Sequence, residues 1–201
     1  MKKITAILFV IFGLPGLAVA AGDPQAGQTK AVVCGACHGA DGNSVAPAWP
    51  KLAGQNATYL FKQMRDIKTG ARTVAVMTGL LAASSDQDMQ DMAAYFASKN
   101  RSAGSADAAL VAQGESLYRA GNKDSGIAAC TACHGPDGQG NEAAGFPSLS
   151  GQHAEYIAIQ LRAFRSEARA NDGDNRMMRM EAFKLNDNEI KAVSSYVSGL
   201  H

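Results

Sequence analysis

The feature that most constrains this 201-residue chain is that one unit is written twice. Cys34-Gly35-Ala36-Cys37-His38-Gly39 recurs as Cys130-Thr131-Ala132-Cys133-His134-Gly135, displaced by 96 positions, and each copy continues to an Asp-Gly pair at Asp41 and Asp137. Pro50, Leu52, Gly54 and Gln55 match Pro147, Leu149, Gly151 and Gln152 at an offset of 97, as do Tyr59, Gln63 and Arg65 with Tyr156, Gln160 and Arg162. Asp86 and Tyr95 match Asp187 and Tyr196 at an offset of 101. Offsets that drift by a few residues mark loop insertions between two homologous domains, not a short-period solenoid.

Each unit reads as helices alone. Asp23-Pro24 supplies a cap followed by Pro at the first helical position, and 107–120 plays the same part in the second copy. Leu60, Phe61, Met64 and Ile67 fall at helical spacing, as do Ile157, Leu161 and Phe164. Ser85 with Asp88, and Asn186 with Glu189, have the spacing of capping boxes that open the last helix of each half. No run alternates with strand period for long enough to require a sheet. The predicted fold class is all-α, two tandem domains over 21–100 and 107–201, joined by a small polar linker over 101–106.

Lys2 and Lys3 precede an apolar run that Pro15-Gly16 interrupts before Ala18-Val19-Ala20, the pattern of an export signal cleaved after residue 20. Four cysteines in an oxidising compartment then need an explanation. In Cys-x-x-Cys-His the two thiols lie about one helical turn apart, so both reach a porphyrin's vinyl groups while the adjacent His lies under the iron. A thioredoxin-like redox pair would sit beside a βαβ pattern and has no use for the His. A four-thiolate zinc site would have to draw its pairs from different repeats, and two intervening residues make poor disulfide geometry. Each half is also small for a core held by apolar contacts alone, and a covalent haem supplies the missing interior. The 21 glycines gather around the cysteines, which suggests close backbone approach to something bulky there.

A sixth iron ligand should recur in both halves. Met64, Met89 and Met92 align with Leu161, Ile190 and Val193 and read as core. Met77 and Met178, 101 apart, form the only Met-on-Met pair, with Met177 and Met180 close enough to leave the second register open. A thioether ligand favours ferrous iron, and a closed coordination sphere discourages oxygen or peroxide chemistry, so the pattern argues for electron transfer. The competing reading is a dihaem enzyme such as a peroxidase with one exchangeable axial position. Pro50 and Pro147 are placed to offer carbonyls to the ring N–H groups of His38 and His134. The matched tyrosines, and Trp49 with Phe146, read as packing around the cofactor, whereas His153 and the terminal His201 read as surface or supporting residues. With 19 Lys+Arg against 18 Asp+Glu, scattered along the chain, no basic surface for nucleic acid is expected.

The two Cys-x-x-Cys-His-Gly units, the Pro-x-Leu-x-Gly-Gln segments, Met77-Thr-Gly-Leu, Asn171-Asp-Gly-Asp and the Gly199-Leu-His ending together resemble the dihaem cytochrome c4 family over essentially the whole mature chain. The resemblance implies two class I cytochrome c domains related by approximate two-fold symmetry, with two covalent haem c groups near the domain interface. It implies attachment at Cys34, Cys37, Cys130 and Cys133, and axial ligation by His38, Met77, His134 and Met178. It further implies a monomeric periplasmic carrier, often loosely membrane-associated, between donors such as the bc1 complex and terminal oxidases.

Overall fold

A computed structural model describes residues 22–200; the proposed signal segment and His201 lie outside the described residues. The first half contains α1 (Pro24–Lys30), α2 (Val32–His38), α3 (Ala57–Thr69), a 3-10 turn over Ala75–Met77 and α4 (Asp86–Ala97). The second contains α5 (Val111–Ala120), α6 (Thr131–His134), α7 (Ala154–Arg165), α8 (Met177–Phe183) and α9 (Asp187–Ser198). Among the described residues there is no strand beyond two isolated bridges, Asn122 with Ile127 and Asn141 with Phe146.

Local chemistry sets the helix ends. The Asp23 carboxylate accepts from the Gln25 N–H ahead of Pro24, and Gly70 closes α3 in the left-handed conformation. The two expected capping boxes are both formed, Ser85 with Asp88 and Asn186 with Glu189. The expectation for 107–120 needs correction. Helix α5 begins only at Val111, because Asp107 caps a preceding turn through Ala109 N–H and gives its own N–H to the Ser195 hydroxyl.

In each half the first helix crosses the last, α1 on α4 and α5 on α9, and the middle helix packs beside that pair. Met89, Met92 and Phe96 are buried in the first core, Ile190, Val193 and Val197 in the second. Of the methionines read as core, Met89 and Met92 are fully buried, each such side chain contributing about 1.5–3 kcal/mol, while Met64 is partly buried against them. The crossings depend on Gly27 and Gly114. A Cβ on Gly27 would lie 2.9 Å from the Cβ of Tyr95, and one on Gly114 would lie 2.6 Å from that of Tyr196, with a backbone carbonyl nearer still in both cases. Beside the cysteine motifs, Gly39, Gly42, Gly135 and Gly138 all have φ between 70° and 83°, a backbone conformation that favours glycine.

Helix α1 is also held electrostatically. Lys30 bridges Asp88 and Asp91, and Asp91 accepts from Asp23 N–H and Gln87 as well. Hydrogen bonds from Lys30 hold both carboxyls below the usual range. A carboxyl depressed in the folded state contributes stability above its unfolded pKa of about 3.9 and loses it as pH falls through the folded value. Asp91→Asn is thus expected to destabilise the first half by about 1 kcal/mol at pH 7, some degrees in melting temperature, with the gap closing towards pH 2. Thermal melts at both pH values check this; a gap independent of pH would assign the effect to packing.

Candidate functional site

Both Cys-x-x-Cys-His units are short helices that end on their histidine, followed by a glycine at positive φ. That turn sends the chain back beneath the ring. The Nδ1 atom of His38 lies 2.9 Å from the Pro50 carbonyl oxygen, and that of His134 lies 3.0 Å from the Pro147 oxygen. The proline carbonyls expected to hold the two rings do so in both halves. Burial lowers the pKa of each imidazole, and the carbonyl only partly offsets it. Each ring is neutral at pH 7, with Nδ1–H engaged and Nε2 making no hydrogen bond among the described residues, which is the form that binds a metal.

None of the four cysteines is in a disulfide. In each pair the first is half-buried and the second exposed. Burial raises the pKa of Cys34 and pushes that of Cys130 up to about 11. Burial that disfavours the thiolate at Cys34 and Cys130, beside a buried neutral imidazole, makes a donor set suited to thioether formation with haem vinyl groups and not to thiolate ligation of zinc.

The candidate sixth ligands sit on unlike supports. Met77 ends the 3-10 turn and packs against the first core. Met178 is the second residue of α8, which Arg176 opens at φ 51° and which Asp172 fixes by accepting from both the backbone N–H and the guanidinium of Arg179. Helical spacing puts Met178 on the face of Ala182, which is 0% exposed, while Met177 is 43% and Met180 56% exposed. Met178 is half-buried and the least exposed of the three.

Sequence reasoning missed a buried polar cluster between the halves. Arg72 donates to Gln63, Tyr156 and Gln160; Arg169 donates to Gln160, Tyr59 and Gln63. The two arginines are 97 residues apart, so the repeat offset already contained the signal. Burial alone would raise the Tyr59 phenol, but Arg169 and Arg72 outweigh it and hold it below its ordinary value. Two guanidiniums answered chiefly by neutral oxygens make a site for carboxylates, of which a haem carries two. The Tyr156 ring packs against the second core, while the hydroxyls of Tyr156 and Tyr59 accept from Arg72 and Arg169 respectively. Tyr95 donates to Ala40 O, whereas Tyr196 accepts from Arg119 and the matching bond, to Gly135 O, comes from Tyr118. Phe146 does lie against its histidine, with ring centroids 6.4 Å apart.

The cytochrome c family model matches residues 24–99 and 111–201. Over the full length of both chains the protein is 59% identical to cytochrome c4 of Pseudomonas aeruginosa, and it is 55% identical to that of Azotobacter vinelandii. The chain belongs to the cytochrome c4 family. The crystal structure of reduced recombinant cytochrome c4 from Pseudomonas stutzeri superposes with a TM-score of 0.89 at 56% identity, covering 90% of this chain and all of that one. An all-helical pair of cytochrome c domains, two covalent haem c groups and electron transfer without enzymatic turnover follow from membership. Among the described residues no helix is long and apolar enough to cross a membrane.

Proposed function

We propose that the protein is a periplasmic carrier whose first haem is linked through Cys34 and Cys37 and ligated by His38 and Met77, and whose second is linked through Cys130 and Cys133 and ligated by His134 and Met178. The observation that carries the assignment is the repeated histidine geometry, two neutral imidazoles with Nδ1 fixed on a proline carbonyl and Nε2 left for iron. Haem supplies one-electron redox chemistry; the chain anchors it, orients the imidazoles and offers Arg72 and Arg169 to its propionates. The thioether side chains favour the ferrous state and close the coordination sphere, the property of a carrier and not of a peroxidase.

Partners in this reading are redox proteins, a bc1-type donor and a terminal oxidase. Side chains over 21–105 sum to +2 and those over 106–201 to −3, so the two halves present opposite charge to a partner. Such a dipole steers encounter and makes association rates fall with salt. The central test is a haemochrome assay with intact mass on periplasmic protein. Two haems per chain, no residual thiols and no peroxide turnover are expected; one haem, or rapid peroxide reduction, would overturn the assignment.

A further inference from the structure

The carbonyls that hold the two histidines belong to peptide groups whose other end is bonded across the domain interface. The Pro50–Lys51 peptide accepts from His38 through its oxygen and donates through the Lys51 N–H to Gln152 Oε1 at 2.9 Å. The Pro147–Ser148 peptide accepts from His134 and donates through the Ser148 N–H to Gln55 Oε1 at 2.8 Å. Each glutamine also returns a bond: Gln152 Nε2 donates to Lys51 O at 2.8 Å, and Gln55 Nε2 donates to Ser148 O at 2.9 Å. Each amide is fixed in turn by its own chain, Gln152 Oε1 accepting from His153 N–H and Gln55 Oε1 from Asn56 N–H. Gln55, Gln152, Lys51 and Ser148 are all buried, so water does not compete for these bonds.

We propose that Gln152 and Gln55 are positioning residues that tune the haem of the opposite domain, each through a single peptide group. Peptide resonance joins nitrogen and oxygen in one delocalised unit, so accepting from the N–H enriches the carbonyl oxygen and strengthens its bond to the histidine Nδ1–H. Cooperative strengthening in such chains is on the order of 10–30% per bond, and it is largest where water is excluded. A more strongly bonded Nδ1–H makes the ring a stronger donor at Nε2, which favours ferric iron and lowers the potential. Domain docking therefore sets both potentials, because neither glutamine reaches the peptide of its own domain. The arrangement also departs from two-fold symmetry at one point. Lys51 places an ammonium on Ser102 O and Gly151 O where the second half has Ser148, and it is the Arg101 guanidinium that donates to Ser148 O, Ser148 Oγ and Ser150 O, so a different cation flanks each relay.

The inference rests on His38 and His134 being axial ligands, and its test separates the two ideas. In the ferrous holoprotein the ring protons of an axial histidine are displaced by the haem ring current; a His38 ring without that displacement would refute the ligand assignment itself. Given it, Gln152→Leu should weaken the His38 hydrogen bond, move the His38 Nδ1 proton upfield and raise the reduction equilibrium constant of the first haem by about two- to tenfold, below the roughly 10–100-fold typical of direct outer partners. His134 and the second haem should stay in place. Gln55→Leu should produce the mirror result, and Gln152→Glu, which keeps an acceptor for Lys51 N–H and adds charge, should shift the first haem in the opposite direction. Potentials and Nδ1 resonances that stay put in both Leu variants would overturn the relay, as would equal shifts of both haems from either single variant.

Discussion

Met178→Leu is expected to lower the potential of the second haem by tenths of a volt, within the roughly 0.8 V that axial ligand choice spans, and to open that iron to carbon monoxide. Met177→Leu and Met180→Leu are expected to leave both properties unchanged. The distinction comes from helix geometry. Position 178 shares the inward face of Ala182, whereas its two methionine neighbours project to solvent, and the Asp172–Arg179 contacts prevent α8 from rotating to exchange them. Met77→Leu should have the same effect on the first haem. The measurement is a redox titration with the visible methionine-to-iron band followed in parallel; loss of the band in Met177→Leu with retention in Met178→Leu would refute the register.

Gly114→Val should destabilise the second domain by at least about 3 kcal/mol and lower its melting temperature by about 10 °C or more. The reason is backbone proximity. A side chain at 114 meets the Ala192 carbonyl and the Tyr196 Cβ, atoms that cannot swing aside, so α5 must lift from α9 and expose the core residues that the crossing covers. Ala112→Val adds methyl groups one turn face away, at an exposed position, and should cost less than about 0.5 kcal/mol. Calorimetry of the holoprotein compares them; equal melting of the two variants would show that the crossing tolerates separation.

The repeat explains why so much of this architecture was legible beforehand. A haem-attachment motif is local: two thiols and an imidazole at fixed spacing within about one helical turn need no knowledge of the rest of the fold. Capping boxes are local too, and both were formed as the Ser85/Asp88 and Asn186/Glu189 spacings required. The start of α5 was misplaced because Asp107 satisfies a turn as well as it would cap a helix, and only the contact with Ser195 on α9 selects the turn. The clustering of glycines near the cysteines is visible in the sequence, whereas the steric demand at Gly27 and Gly114 comes from helices that meet far apart in sequence.

The sequence by itself determined the two-domain helical organisation, the two Cys-x-x-Cys-His units and the proline carbonyls that their histidines meet, since each is written within a few residues and repeated. Tertiary structure alone decided which methionine of α8 is least exposed, that Arg72 and Arg169 converge on one cluster, and that Gln55 and Gln152 cross to the opposite domain. Those outcomes depend on how two independently readable units are oriented against each other. Spacing along a chain fixes distances within a helical turn, but a bond such as that between Lys51 N–H and Gln152, 101 residues apart, exists only after both cores have formed and docked.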